Sequence, residues 1–403
     1  MARAMLLDAT RTPFGRYRGE LSGIRVDDLA AMPLAELVHR HADRDERPLD
    51  PGNIDEVIYG NTNGAGEENR DVARMAVLLA GLPENVPGVT VNRLCGSGCE
   101  AFVQAGRAVR TGDAELVVAG GVEGMSRAPF VVPRPERALP DRLEAVSTAA
   151  GWRLINPRMD PEWTAPLGLI AERIATELGV GRSEMDEYTL RSHRRAAAAW
   201  DAGMHDGFVF PVRGVGGIPM RSDEPLSSET GAAKLAGFPP AFSTEGTVTV
   251  GNSAPLGDGS VAALIGSQRQ AERLAVTPLG ELVGTTTVAC APQRFVLATV
   301  TAIRELLDKL ELRAEEVDLW EINEAFAALV LAVLRQLPEA PHDRVNVHGG
   351  ALAYGHPLGA SMSRVVVDLC RHLNHRGGGF GIAATGVGVG QATAVAVRAR
   401  PET

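Results

Sequence analysis

Short apolar runs rich in β-branched residues alternate with longer stretches of helical spacing along most of the chain. A strand covered on both faces reads as a continuous apolar run, the mark of buried parallel strands in α/β proteins. Val57-Ile58-Tyr59, Val89-Thr90-Val91 and Leu116-Val117-Val118-Ala119 have that character in the first part. Leu319-Trp320-Glu321-Ile322, Val345-Asn346-Val347 and Phe380-Gly381-Ile382-Ala383 have it in the last. An alternating run ending at Arg11-Thr12-Pro13 predicts a first strand and its turn. Helical spacing predicts helices over 167–178 and 183–202. The pattern defines an α/β fold.

The two parts repeat one another weakly. Each has a strand ending in asparagine (Asn61, then Asn323), and each follows it with a strand, a glycine-rich turn and a helix. Those segments read VNRLCGSGCEAFVQAGRAV and VNVHGGALAYGHPLGASMSRVVV, and each part closes on a glycine-bearing strand, AELVVAGGVEG and FGIAATGVGVGQA. Three matches in one order point to duplication, which brings the glycine turns to a pseudo-symmetric centre. The expected organisation is a first half over 1–130 and 246–272, and a second half over 273–403. Between them a Pro-, Arg- and Gly-rich loop or cap domain spans 131–245, after which TVTVGNSAPLGDG restores strand character.

Composition narrows the function classes. A length of 403 residues supports a large core, and 45 glycines beside 4% aromatics suit tight turns. The net charge of −10 argues against nucleic acid or an anionic membrane as partner. No run of eighteen apolar residues predicts a span, no secretory signal opens the chain, and four cysteines suit free thiols, so cytoplasm is the expected compartment.

Cys95 stands in Asn92-Arg93-Leu94-Cys95-Gly96-Ser97-Gly98-Cys99, at a strand-to-helix turn. A thiol at a helix N-terminus meets unpaired N–H groups that favour thiolate and stabilise a neighbouring oxyanion. A buried structural cysteine is the alternative, and Cys99 one turn on has that packing role. His356, in Gly355-His356-Pro357-Leu358-Gly359, is the candidate base, or else a hydrogen-bonded structural histidine. Asn323 opens Asn323-Glu324-Ala325-Phe326, either as a helix N-cap or as a holder of an oxyanion. No Cys/His cluster supports a metal, His348 included. Gly386-Val387-Gly388-Val389-Gly390 fails as a dinucleotide motif, because no helix and acidic residue follow it.

Taken together, RTPFGRYRG, GEENRDVARMAVLLAGLP, VNRLCGSG, AGGVEGMSRAPF, INEAFAA, NVHGGALAYGHPLGAS and GVGVGQA resemble the thiolases nearly end to end. The resemblance is nearest to the branch that cleaves 3-oxoadipyl-type β-ketoacyl-CoA thioesters. It implies a duplicated α-β-α-β-α layered fold with an inserted cap, and a homodimer or tetramer built partly on the segment 67–75. It implies Cys95 as acyl carrier and His356 as its activator. Asn323 holds a water that forms one oxyanion hole with His356, and the N–H groups of Cys95 and Gly388 form the other. Ala325, Phe326, Phe242, Leu167 and Phe295 are the expected substrate-binding residues. The substrate implied is an acyl-CoA or acyl-carrier-protein thioester, with no permanently bound cofactor.

The resemblance also shows departures. Thiolases place a second cysteine two residues before the glycine matching Gly388, and here that position is Gly386. A family arginine near the CoA nucleotide falls on Ser227, a pantetheine-contacting serine on Ala254, a His-Met pair on Pro166-Leu167, and an active-site methionine on Phe295. Cys290 and Cys370 lie in other segments. The first expectation is therefore an acyltransferase that passes the acyl group from Cys95 without the second cysteine, by decarboxylative condensation or by acylating an amine or alcohol. The alternatives are conventional β-ketoacyl-CoA thiolysis and an inactive homologue kept for assembly or binding.

Overall fold

The computed structural model describes residues 2–135, 137–138, 141–226 and 230–399, so Ser227 lies outside the described residues. Nine main strands are β1 (Ala4–Arg11), β2 (Glu56–Gly60), β3 (Gly88–Val91), β4 (Leu116–Gly124), β5 (Gly257–Ser267), β6 (Gly280–Ala289), β7 (Leu319–Ile322), β8 (Gly379–Val387) and β9 (Gln391–Ala399). The principal helices are α1 (Val26–Ala42), α2 (Val72–Leu79), α3 (Ser97–Thr111), α4 (Leu167–Glu177), α5 (Arg182–Asp201), α6 (Phe295–Leu310), α7 (Ala327–Gln336) and α8 (Leu358–His375).

The strands join in the order β7-β8-β9-β6-β1-β5-β4-β2-β3, and Gly15–Arg16 pairs onto β5. Period-2 alternation assigns each strand face to a different helix layer. In β1, Ala4, Leu6 and Ala9 face the cluster holding α3 and α8, while Met5 and Leu7 face α1 and α2. In β9, Val395 and Val397 face that same α3/α8 cluster, while Ala394 and Ala396 face α6 and α7. Both halves of the sheet therefore cover one central helix pair, with an outer helix layer beyond each. This is the α-β-α-β-α layering.

Three expectations are corrected. The sheet is mixed: only β2–β3, β2–β4 and β7–β8 are parallel pairs. β8 and β9 pair antiparallel because the three residues between Val387 and Gln391 close a hairpin, with Val389 at φ 57° and Gly390 at φ 79°. Val345-Asn346-Val347 is not a strand. Asn346 is at φ 48°, Val345 makes one bridge to Trp320, and the Asn346 carboxamide bonds both polar groups of Ile322. Finally, TVTVGNSAPLGDG is mostly irregular, and β5 starts only at Gly257. The two helices predicted over 167–178 and 183–202 appear as α4 and α5.

Candidate active site

The chain leaves β3 and makes a tight 3-10 turn, Leu94–Gly96, before α3 begins. Asn92 Oδ1 accepts from the Leu94 N–H at 2.9 Å, while Ser97 Oγ accepts from Arg93 N–H and donates to Leu94 O. These bonds hold Leu94 at φ 47°, a conformation costly for a branched side chain, and so aim the next residue, Cys95. Cys95 is 7% exposed. Burial pushes its thiol up to about 11, against the opposing pull of the Cys95 and Gly388 N–H groups that face the sulfur. The expected thiolate is thus corrected: desolvation wins over the turn's dipoles, and Cys95 rests as a thiol. The same two N–H groups are the ones expected to cradle an oxyanion beside that sulfur.

A buried thiol needs a base at the moment of attack. His356 immediately precedes α8, whose first turn touches the first turn of α3. A Cβ on Gly98 would lie 2.7 Å from Ser363 N and 2.8 Å from Gly359 O, so only glycine permits this approach. Ser361 donates its one hydroxyl proton to Pro357 O at 3.0 Å and receives His356 Nδ1–H at 2.7 Å. That chain leaves Nε2 as the unprotonated nitrogen, buried and without a partner among the described residues. Burial, with Arg364 adding, lowers His356 to about 4, so it is a neutral acceptor at physiological pH.

Asn323 is not a helix cap, because α7 begins four residues later with Phe326 at its cap position. Its carboxamide is buried, and neither Oδ1 nor Nδ2 has a partner among the described residues. A buried amide left unpaired costs roughly 1–3 kcal/mol. It lines a cavity of about 10 Å³ with Phe295, Thr299, Ala325, Thr385 and Gly386. That volume holds on the order of one water. The neighbouring Glu324 anchors the turn by accepting from Tyr188 Oη, Ser192 Oγ, Asn346 Nδ2 and Leu352 N.

The expected substrate-binding residues fall into two groups. Ala325 and Phe295 line the Asn323 cavity. Phe242 and Phe326 stack edge to face at 5.8 Å, and Phe242 presses on Gly168 beside Leu167 at the start of α4. Pro166 caps that helix, and Ala254 donates its N–H to Ala325 O. Cys99 and Cys370 are buried and Cys290 is exposed; none of them lines the cavity at Gly386. His348 stacks edge-on against His372, and no metal-binding group of three or more ligands occurs among the described residues.

Sequence reasoning missed Glu123. Its buried carboxylate accepts from Thr62 N and Oγ1, Asn63 N and Gly359 N, tying the end of β2 to the turn that carries His356. Burial, opposed by these bonds, raises it to about 7. The visible signal was an acidic residue at the end of an otherwise apolar strand. Ser361 was missed as well, since its role depends on a helical i−4 bond and the histidine rotamer.

A thiol beside two convergent N–H groups, a neutral histidine with a free Nε2, and an unpaired buried carboxamide are the groups that a cysteine-dependent acyltransferase site requires. Family profiles match almost the whole chain: "Thiolase, N-terminal domain" over residues 4–269 and "Thiolase, C-terminal domain" over 276–399. The chain belongs to the thiolase family. It is 42% identical over 390 residues to a β-ketoadipyl-CoA thiolase of Escherichia coli, covering 95% of this chain and 96% of that one. An acetyl-CoA acetyltransferase of Chromobacterium violaceum is 36% identical over 94% of this chain and 95% of its own. Among solved structures, human mitochondrial 3-ketoacyl-CoA thiolase superposes with a TM-score of 0.89 at 32% identity, covering 99% of each chain. No helix of the described residues is long and apolar enough to cross a membrane.

Proposed function

We propose that the protein is a β-ketoacyl-CoA thiolase acting on acyl chains of the 3-oxoadipyl type. The observation that carries this reading is the pair of N–H groups facing the Cys95 sulfur, on a turn whose helix packs against the helix that follows His356, a histidine with a free Nε2. Relatives named β-ketoadipyl-CoA thiolase support conventional thiolysis above the decarboxylative or amine-acylating transfer expected first. In the reaction, Cys95 Sγ bonds the β-keto carbon while its proton passes to His356 Nε2. With a thiol at about 11 and an imidazole at about 4, that proton moves as the bond forms, not beforehand. The carbon–carbon bond then breaks, its electron pair stays on the α-carbon of the departing acyl-CoA, and the proton from His356 is delivered there. CoA thiol next attacks the acyl-cysteine, and its own proton returns through His356 to Cys95.

Gly386 stands where the family resemblance places the cysteine that moves the α-carbon proton, and it offers no proton to the departing carbanion. A water held by Asn323 in the adjoining cavity is the relay that remains between His356 and the α-carbon, so turnover is slow while acylation is intact. The second reading, acyl transfer to an acceptor that brings its own carbanion or lone pair, draws on the same glycine.

The test is CoA-dependent cleavage of 3-oxoadipyl-CoA, followed as acetyl-CoA release across pH. Neutral His356 is the active form, so acylation is expected to persist below pH 6 and to fall only as pH drops towards about 4. A step near pH 7 reports Glu123. No acetyl-CoA release at any pH would leave the second reading in place of the first.

We also propose a homodimer. β3 is an edge strand with all four residues only half-buried, and α2 beside it exposes Leu78 at 45% and Leu79 at 52%. An open apolar edge is a template for pairing. Sedimentation at micromolar concentration should give a dimer or a dimer of dimers. A single 42.5 kDa species would overturn this assignment.

A further inference from the structure

We propose that Arg153 recognises a carboxylate at the far end of the acyl chain and so selects dicarboxylic acyl groups. This rests on the thiolase reading and deepens it by naming the residue that sets the substrate class. The site begins at Gly388, whose N–H faces the Cys95 sulfur. A Cβ on Gly388 would lie 3.1 Å from Trp152 Cη2, so the indole edge covers the glycine that holds the oxyanion. Arg153 is the next residue. Its Nη2 donates to Asn63 O and Asn63 Oδ1, both at 3.1 Å, and Asn63 N in turn donates to Glu123, the carboxylate whose charge acts on Cys95. The guanidinium is thereby fixed, half-buried, at the rim of the reacting centre.

Arg153 differs in charge balance from several arginines that are paired with carboxylates. Arg93 is committed to Glu100, Arg127 to Glu67, Arg173 to Glu162 and Arg294 to Glu177. Arg153 has no carboxylate partner among the described residues and spends one nitrogen on neutral oxygens. A half-buried cation held by neutral acceptors retains donors for an anion, and the guanidinium fork matches a carboxylate in two parallel bonds. On this assignment an acyl chain leaves the carbonyl at Gly388 along Trp152 and presents its distal carboxylate to the neighbouring Arg153. An uncharged chain leaves the same donors unpaired, which is the basis for discrimination.

The experiment compares succinyl-CoA with butyryl-CoA as donors to Cys95, read as adduct formation by intact mass over time. In each case the Cys95 sulfur takes the acyl group and CoA leaves with the thiol proton, so the missing base at Gly386 plays no part. Wild type is expected to prefer succinyl-CoA by about 10- to 100-fold, the range of a hydrogen bond to a charged group. Arg153→Met should bring the ratio of the two rates close to one, and Arg153→Lys should keep part of the preference as a point charge. A ratio equal to one in wild type, or unchanged in Arg153→Met, overturns the assignment to Arg153 and leaves the thiolase reading standing. A wild type that forms no adduct with either donor overturns both.

Discussion

Cys95→Ala is expected to abolish the acyl adduct and to lower 3-oxoadipyl-CoA thiolysis by roughly 10⁵-fold or more, the scale of nucleophile deletions elsewhere. The loss follows from covalent chemistry, because nothing else at the site can carry the acyl group. Cys99 lies one turn deeper and is fully buried, with burial holding its thiol far above the range of Cys95. Cys370 packs against Gly280 in the central helix layer, and Cys290 is exposed with its Sγ bonded to Ala291 O. Packing barely registers the substitution, since alanine removes one sulfur from a pocket already bounded by Gly388 and Leu94. The check is intact mass after incubation with an acyl-CoA, beside steady-state cleavage. An adduct of undiminished yield in Cys95→Ala would place the acyl group on another residue and dismantle the mechanism.

Much of the fold was legible because it rests on periodicity and glycine placement. Continuous apolar runs gave β2, β4, β7 and β8, and helical spacing gave α4 and α5 to within a residue or so at each end. What the runs could not give was strand direction, since an apolar stretch reads alike in parallel and antiparallel pairs. The Val345-Asn346-Val347 reading failed for a tertiary reason: Asn346 turns left-handed to satisfy Ile322, and local propensity yields to that bond. At the site, Cys95 and His356 were visible as residues set in glycine-rich frames, Asn323 as the polar end of an apolar strand, and Gly388 through the family resemblance. Their protonation states were not. Sequence placed Cys95 by a helix terminus and so suggested a thiolate. The opposing term, burial under α8 and the loop at Gly388, depends on parts of the chain some 300 residues away. The links made by Glu123, Ser361 and Trp152 are equally non-local, and no spacing rule announces them.

Gly386→Cys is expected to raise thiolysis of 3-oxoadipyl-CoA by about 10²–10⁴-fold, the contribution typical of a positioned acid–base group, without changing the rate of Cys95 acylation. The backbone allows it. Gly386 lies within β8, paired with Ala392, and is not among the positive-φ glycines, so an L-residue meets no conformational penalty there. Space is tighter: a Cβ would lie 3.0 Å from Thr299 Oγ1, 3.1 Å from Phe295 Cδ2 and 3.3 Å from Phe295 O. The Phe295 ring must shift by a few tenths of an ångström, and the small cavity beside Asn323 receives the sulfur. In the proposed mechanism the thiol takes over from a water, exchanging a very weak acid for one that titrates within reach of an enolate's needs. Gly386→Ala is the control, since it brings the same Cβ and the same displacement of Phe295 with no proton to move. Thiolysis should rise in the cysteine variant alone, measured as acetyl-CoA release with Cys95 acylation followed in parallel. Equal turnover in the alanine and cysteine variants would mean that the proton at the α-carbon never passes through position 386, and the account of a slowed thiolase would fall.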